Sequence, residues 1–389
     1  MHHHDAGRLG QARLLYEEVL GITPNHPDAL HLLGVLSLQS GEPDTAVRLI
    51  RQAISHQDGH ADYFANLGMA FSALGQVSAA MDSYRRALQL DPKHANAHYN
   101  IGSLQRSQGQ LSDAIASLSR SVALDPLGLE VRTNLAALHL ENKDPTRALT
   151  QCEACLELRP DDRMAIGYKA IALQALQHYE QARYLLGLER FVSEQVIQVP
   201  FGFDTIESFN LTLADGIRSH PSLVHEHPGK ATRNGLQTGD LLAPPKGSFA
   251  AFEMTVNDAL NVYLKSLPND SAHPFLRPSL RRWRLDVWGV ILNCAGYQTA
   301  HMHPGGWVSG VYYVDLPKDM DKREPEGCIE FGRPPEEFGS PRNLAVRQIR
   351  PEEGKLILFP SYLFHQTIPF TSSHSRISIA FDVIPLEFG

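Results

Sequence analysis

Alanine recurs every 34 residues, at Ala12, Ala46, Ala80, Ala114, Ala148 and Ala182, and this period constrains the first half of the chain more than any other feature. Pro24, Asp58, Pro92, Pro126 and Pro160 close successive units at the same spacing, and Leu33-Gly34, Leu67-Gly68 and Ile101-Gly102 recur in step. Small residues at a fixed period mark where two helices of one unit approach closely, and a proline stops the second helix before the next unit begins. A single helix pair cannot bury its apolar face alone, so the pattern predicts a stack of such pairs. Four full units span residues 27–162, and a fifth starts at Arg163 with an irregular ending. The first unit begins mid-repeat near Gly7, which fits either a truncated array or one that opens on half a repeat. Residues 1–4 read equally as a tag remnant or as native sequence.

This spacing resembles the tetratricopeptide repeat. The resemblance implies an all-α solenoid over residues 1–194 with a concave groove. Asn66, Asn100 and Asn134 occupy the same place in three successive units. Asparagine is a poor helix-interior residue because its amide competes for the backbone, so its recurrence asks for a reason. The arrangement resembles the asparagine ladder with which O-linked N-acetylglucosamine transferase grips peptide backbones. On that resemblance the three amides are candidate substrate-binding groups for a peptide or protein partner, since an amide both donates and accepts. The competing reading is that asparagine is simply frequent at this place in the repeat.

The pattern changes at Val196. Residues 195–280 read as a connecting and support region: VIQVPFGF, a short helix over 207–220, a Gly- and Pro-rich segment over 227–247, and an amphipathic helix over 250–267. That Gly- and Pro-rich segment is either an ordered functional loop or a linker. Strand-like runs follow at 284–294, 307–315, 327–331, 345–349, 355–360, 364–369 and 376–385. Short strands with turn signals and no intervening helices predict a jelly-roll barrel over 281–389.

Within that barrel, HMHPGGWVSGVYYV runs from His301, and FPSYLFH ends at His365, 62 residues after His303. Histidines at i and i+2 on an extended segment share a face, so His301 and His303 can reach one ion while Met302 faces away. His365 completes a three-ligand face, and three histidines at this spacing outweigh the alternative of isolated structural histidines. Arg376 and Ser378 follow in SRISIAFDVIP. A turn at Ser372 and Ser373 predicts that the His365 and Arg376 runs pair antiparallel, with Arg376 opposite Pro369 and Ser378 opposite Thr367. That placing sets a buried cation roughly 13 Å along the strand from His365, suited to an anion with one end on the metal.

The pattern resembles Fe(II)/2-oxoglutarate-dependent oxygenases of the double-stranded β-helix (jelly-roll, cupin-like) class, in particular prolyl-hydroxylase-like oxygenases with an SGVYYV segment after the histidine pair. The resemblance covers residues 201–389, with specific motifs only in roughly the last hundred. It implies a multidomain chain, a repeat solenoid followed by this barrel with flanking helices. It further implies Fe(II) on His301 and His365, 2-oxoglutarate as cosubstrate with its far carboxylate on Arg376 and Ser378, and dioxygen at the last open position of the iron. The implied reaction gives succinate and carbon dioxide, with hydroxylation as the usual outcome. His303 departs from the pattern, because it stands where that class places a carboxylate. A neutral imidazole there leaves the metal more positive and favours other ions such as zinc more than a carboxylate would. Two further readings stay open: a three-His cupin-type dioxygenase that does not use 2-oxoglutarate, and a non-enzymatic adaptor whose barrel is stabilised by metal. The first leaves Arg376 and Ser378 without a task.

Asn293 alternates outward from the first barrel strand and is a candidate for the cofactor pocket, with strand-end hydrogen bonding as the rival reading. Tyr312 and Tyr313 point to opposite faces, so at most one lines the pocket. Cys152 and Cys155 form a C-x-x-C, but they fall where a repeat helix packs and no second pair exists, so packing is expected rather than zinc or redox chemistry. Arg277, Arg281, Arg282 and Arg284 are expected as a solvated edge around Trp283 rather than an anion site. The formal charge of -8 argues against nucleic acid as the main partner. At 43% apolar content the 389 residues can bury large cores, yet no run reaches the length of a membrane span and the N-terminus has no signal-peptide apolar stretch. Four cysteines do not make a secreted disulfide framework, so a cytoplasmic setting is expected.

Overall fold

The computed structural model describes residues 4, 7–226, 229–277, 280–320, 325–339 and 343–388. Residues 1–3 of the tag-like start and 227–228 of the Gly- and Pro-rich segment lie outside these. The chain divides into two compact units, Met1–Leu138 and His139–Gly389, so the division falls inside the repeat array rather than at its end.

In the first unit the helices are α1 (Leu9–Ile22), α2 (Pro27–Gln39), α3 (Pro43–His56), α4 (Ala61–Ala73), α5 (Val77–Leu90), α6 (Ala95–Ser107), α7 (Leu111–Leu124) and the first part of α8 (Leu129–Glu141). The periodic alanines Ala12, Ala46, Ala80 and Ala114 are all buried, each at 2% exposure or less, as close helix packing requires. The glycine in step with them has no room for a side chain: a Cβ on Gly68 would lie 2.5 Å from the Tyr84 ring of the facing helix. Inside each repeat the turn between helices uses a left-handed residue, Gly41, Gly75 and Gly109, with φ of +78°, +71° and +74°. Helix entries are fixed locally too, because the His26 and His94 imidazoles accept the Ala29 and Ala97 amides.

In the second unit, α9 (Pro145–Leu158), α10 (Arg163–Ala175) and the short α11 (Tyr179–Leu186) continue the helical pattern, and α12 (Leu188–Phe191) follows. Alanines Ala148 and Ala182 are again buried. The turn positions hold Lys143 and Gln177, at φ of +58° and +63°, in place of glycine. Cys152 and Cys155 are fully buried on α9, and burial pushes the Cys152 thiol pKa well up, as a packing role demands.

The strands are β1 (Ser193–Val196), β2 (Val224–His225), β3 (Thr232–Gln237), β4 (Leu280–Gln298), β5 (Val308–Asp315), β6 (Ile329–Phe331), β7 (Arg347–Ile349), β8 (Lys355–Pro360), β9 (His365–Thr367) and β10 (Arg376–Phe388). They form a seven-stranded sheet, β1-β8-β5-β10-β4-β3-β2, and a three-stranded sheet, β7-β6-β9, with antiparallel pairing throughout. Two helices, α13 (Ile206–Arg218) and α14 (Phe249–Ser266), cover one face of the large sheet. There Tyr312 donates to Asn210 of α13 at 2.6 Å, and the Trp283 indole donates to Asn257 of α14 at 2.8 Å. The arginines around Trp283, at 277, 281, 282 and 284, are exposed.

The expected hairpin between the His365 and Arg376 runs does not form. β9 pairs with β6 in the small sheet, and β10 pairs with β4 and β5 in the large one. The segment between them crosses from one sheet to the other, so Arg376 lies opposite Leu292 rather than Pro369, and Ser378 opposite Val290 and Tyr313 rather than Thr367. Crossing between sheets is how a jelly roll brings residues of successive strands to one enclosed space.

The repeat helices of this unit buttress the histidine-bearing segments. A Cβ on Gly167 of α10 would meet the Tyr362 carbonyl at 2.9 Å and the Met302 sulfur at 3.0 Å. Met302 therefore packs on a helix while its neighbours turn to the site. The Tyr362 hydroxyl donates to the Leu185 carbonyl of α11 at 2.6 Å, and Tyr168 packs on Phe338 and Phe364.

Candidate metal centre

His301 and His365 form an isolated antiparallel bridge, and the His303 amide donates to the Ser361 carbonyl at 2.9 Å. The backbone thus sets all three histidines side by side, with ring centroids 4.3 to 5.2 Å apart. One ligand atom from each lies within 4.8 Å of the others. All three Nδ1 atoms are occupied: His301 faces the Thr299 carbonyl at 2.6 Å, His365 the Leu363 carbonyl at 3.0 Å, and His303 the Asp382 carboxylate at 2.9 Å. Each contact takes an Nδ1–H donor, which fixes the tautomer and leaves the Nε2 lone pair for a metal.

Burial keeps two of the three imidazoles in the form that binds a cation. Burial, then the neighbouring His303, lowers the His301 pKa to about 4. Burial and the two other imidazoles push His365 well down as well. Neutral imidazoles are the form that ligates.

Strand β10 reads as two faces. Ile377, Ile379, Phe381 and Val383 belong to the apolar core, while Arg376 and Ala380, together with the Phe381 ring, border the inner cavity at the site and Asp382 borders the outer one. Ser378 is buried on the same alternating face as Arg376 but does not line either cavity. Arg376 is 2% exposed, donates Nη1 to the Gly327 carbonyl and lies 4.9 Å over the Tyr313 ring. Its Nε and the Tyr313 hydroxyl are buried with no hydrogen-bond partner among the described residues. Leaving such a group unpaired is costly, so the Arg376 guanidinium, which borders the inner cavity, fits a carboxylate ligand. Of the two adjacent tyrosines it is Tyr313 that lies against Arg376, although neither lines a cavity at the site, and burial raises the Tyr313 pKa to about 12, which keeps it a donor.

The inner cavity is narrow, about 20 Å³, bounded by the three histidines, Thr367, Phe359 and Arg376. It shares Trp288, Gln298, His301 and His303 with an outer cavity of about 410 Å³, also lined by Lys230, Asp240 and Asp286. Trp288 stacks on His303 at 5.6 Å. Asn293 lines neither cavity. Sequence reasoning did not single out Asp382, Trp288, Gln298 or Ser309. A signal for Asp382 was present, since it continues the i+2 series from Arg376 and Ser378.

The candidate substrate groups lie in the first unit. Asn66 pairs with His31 at 2.8 Å and Asn134 donates to the Tyr99 hydroxyl at 3.0 Å, in each case a side chain 35 residues earlier. Asn100 is half-buried, and the residue 35 before it is Ala65, which has no polar side chain.

Residues 286–382 match a family model described as "Putative 2OG-Fe(II) oxygenase", and residues 3–67, 68–105 and 99–163 match three tetratricopeptide repeat models. Similar solved structures include MamA, 22% identical over 41% of this chain and 92% of that one, with a TM-score of 0.36. YrrB, described as a TPR protein with an unusual peptide-binding site, is 17% identical over 44% of this chain and 89% of its own, at a TM-score of 0.38. A thermophilic TPR protein from Thermus thermophilus is 25% identical over 46% and 92%, at a TM-score of 0.38. No curated protein matches the chain. No helix among the described residues is long and apolar enough to cross a membrane.

Proposed function

We propose that this chain, tetratricopeptide repeats followed by a domain of the 2OG-Fe(II) oxygenase type, is a cytoplasmic Fe(II)/2-oxoglutarate-dependent dioxygenase that hydroxylates a peptide or protein recruited by its repeats. The observation that carries the reading is the pairing of two features in one cavity. Three imidazoles have their Nδ1 atoms tied off, and a buried guanidinium beside them has an unpaired Nε.

His301, His303 and His365 would hold the iron on one face through Nε2. Iron(II) with 2-oxoglutarate would supply the chemistry, the use of dioxygen to oxidise the 2-oxo acid to succinate and carbon dioxide with the second oxygen atom inserted into a substrate C–H bond. Arg376 presents a permanently charged fork to the far carboxylate, with the Tyr313 hydroxyl as a second donor and Ser378 nearby on the same strand. Trp288 and Phe359 wall the imidazoles and limit water around them. Asn66, Asn100 and Asn134 would hold an extended substrate through backbone-directed hydrogen bonds.

A second reading is favoured by the size of the inner cavity, whose 20 Å³ is the space of about one water molecule. A 2-oxo acid would enter only when lining side chains withdraw. A three-His oxygenase working without 2-oxoglutarate makes no such demand. Anaerobic loading with Fe(II), followed by assay of succinate from 2-oxoglutarate with and without candidate peptides, separates the two. Peptide-stimulated succinate supports the first reading. One iron per chain with oxygen uptake and no succinate supports the second.

A further inference from the structure

The ligand set is neutral where the oxygenase pattern has a carboxylate, yet a carboxylate is present one imidazole away. Asp382 sits on β10 and faces His303, with Oδ2 2.9 Å from Nδ1. Its other oxygen is also committed, because Ser309 donates to Oδ1 at 2.6 Å and lies 2.9 Å from the Ser361 hydroxyl. The same Ser361 accepts the His303 amide through its carbonyl. Backbone and side chain of His303 are therefore fixed by one small network. The side chains of His303 and Asp382 are only 16% and 13% exposed.

The neighbouring chain is shaped around this contact. A Cβ on Gly306 would lie 2.7 Å from the Ser361 hydroxyl and 3.3 Å from the Asp382 Cβ. A side chain at this position would press on the Ser361 hydroxyl and crowd Asp382.

We propose that Asp382 is a positioning residue of the metal centre, holding His303 with Nε2 toward the ion and supplying through the ring the negative charge that the ligand set lacks. A carboxylate on Nδ1–H fixes ring orientation and makes Nε2 a stronger donor, so the His303–Asp382 pair would do the work of a carboxylate ligand while the side chains offered to the cation stay imidazoles. Asp382 touches neither metal nor substrate in this role. The inference rests on the metal reading of the preceding subsection.

The test is anaerobic titration of the full chain with Co(II), read by calorimetry and the visible ligand-field spectrum, and with Fe(II) by retained metal. Wild type is compared with Asp382→Asn, His303→Asp and the double variant. Asp382→Asn should weaken Co(II) and Fe(II) binding about 10- to 100-fold and alter the Co(II) spectrum. In the His303→Asp background the same change should cause no weakening, because no ring remains to be held. Equal affinity of wild type and Asp382→Asn overturns the inference while leaving the metal centre standing. An equal loss in both backgrounds overturns it too, by showing a merely structural role. Absence of one-to-one binding by wild type overturns the metal reading and the inference together.

Discussion

His301 and His365 exchange both of their backbone hydrogen bonds across one antiparallel bridge, His301 N–H to the His365 carbonyl at 3.0 Å and His365 N–H to the His301 carbonyl at 2.9 Å. Two ligands 64 residues apart are thereby registered by main chain alone, independently of their side chains. Truncating either ring should leave the bridge and the fold in place. His301→Ala and His365→Ala are each expected to abolish iron retention with little change in far-UV circular dichroism. His303→Ala should weaken retention, and His303→Asp should retain both iron and 2-oxoglutarate turnover. Iron content of anaerobically loaded protein is the measurement, and wild-type retention by His303→Ala would exclude His303 as a ligand.

Arg376 is the cosubstrate test. Removing one partner of a buried charge pair costs on the order of 2 to 5 kcal/mol, so Arg376→Ala should raise the 2-oxoglutarate Kd at least tenfold with iron content unchanged. Tyr313→Phe should have a smaller effect in the same direction, because it deletes one neutral donor. Calorimetric titration of both variants decides it, and an unchanged Kd for Arg376→Ala would favour the reading without 2-oxoglutarate.

The asparagine triple variant, Asn66, Asn100 and Asn134 to Ala, addresses recruitment. Two of these amides also tie neighbouring repeats together, so a stability loss of about 1 kcal/mol for each lost contact is expected and is measured alongside. Iron content and peptide-independent succinate formation should survive. Hydroxylation of a protein substrate should fall sharply, and rates equal to wild type would show that these amides take no part in recognition.

His31 predicts a pH effect in the first unit. Burial, partly offset by Asp62 and Asp28, lowers its pKa from 6.5 to about 4. The unfolded chain takes up this proton below pH 6.5, whereas the folded chain does so only near pH 4. The contribution to stability is therefore whole above pH 6.5 and is lost as pH falls toward 4, on the order of 3 kcal/mol. Urea unfolding of wild type and His31→Gln at neutral pH and near pH 4 checks this. The acid loss should be smaller in the variant, and identical losses would show that His31 does not drive it.

Much of the site was legible because its signals are local. The i, i+2 histidines, the distant third histidine and the Arg-x-Ser on the last strand each follow from alternation along one strand, and all but Ser378 border the inner cavity. Two expectations could not be settled that way. The hairpin between the His365 and Arg376 runs fails because strand pairing is chosen by the whole barrel, which sends β9 and β10 to different sheets. Asn293 satisfies the alternation rule in isolation, but the cavities open on Trp288 and Gln298 of the same long strand.

The sequence by itself determined the helical period, the buried alanines and the identity of the three imidazoles, because each depends on spacing within one element. Only the tertiary structure decided that Asp382 meets His303 across 79 residues, that Tyr313 rather than Tyr312 covers Arg376, and that Met302 rests on Gly167 of a repeat helix. Those contacts join elements distant in sequence. Their partners are selected by how sheets and helices pack, and no local pattern carries that information.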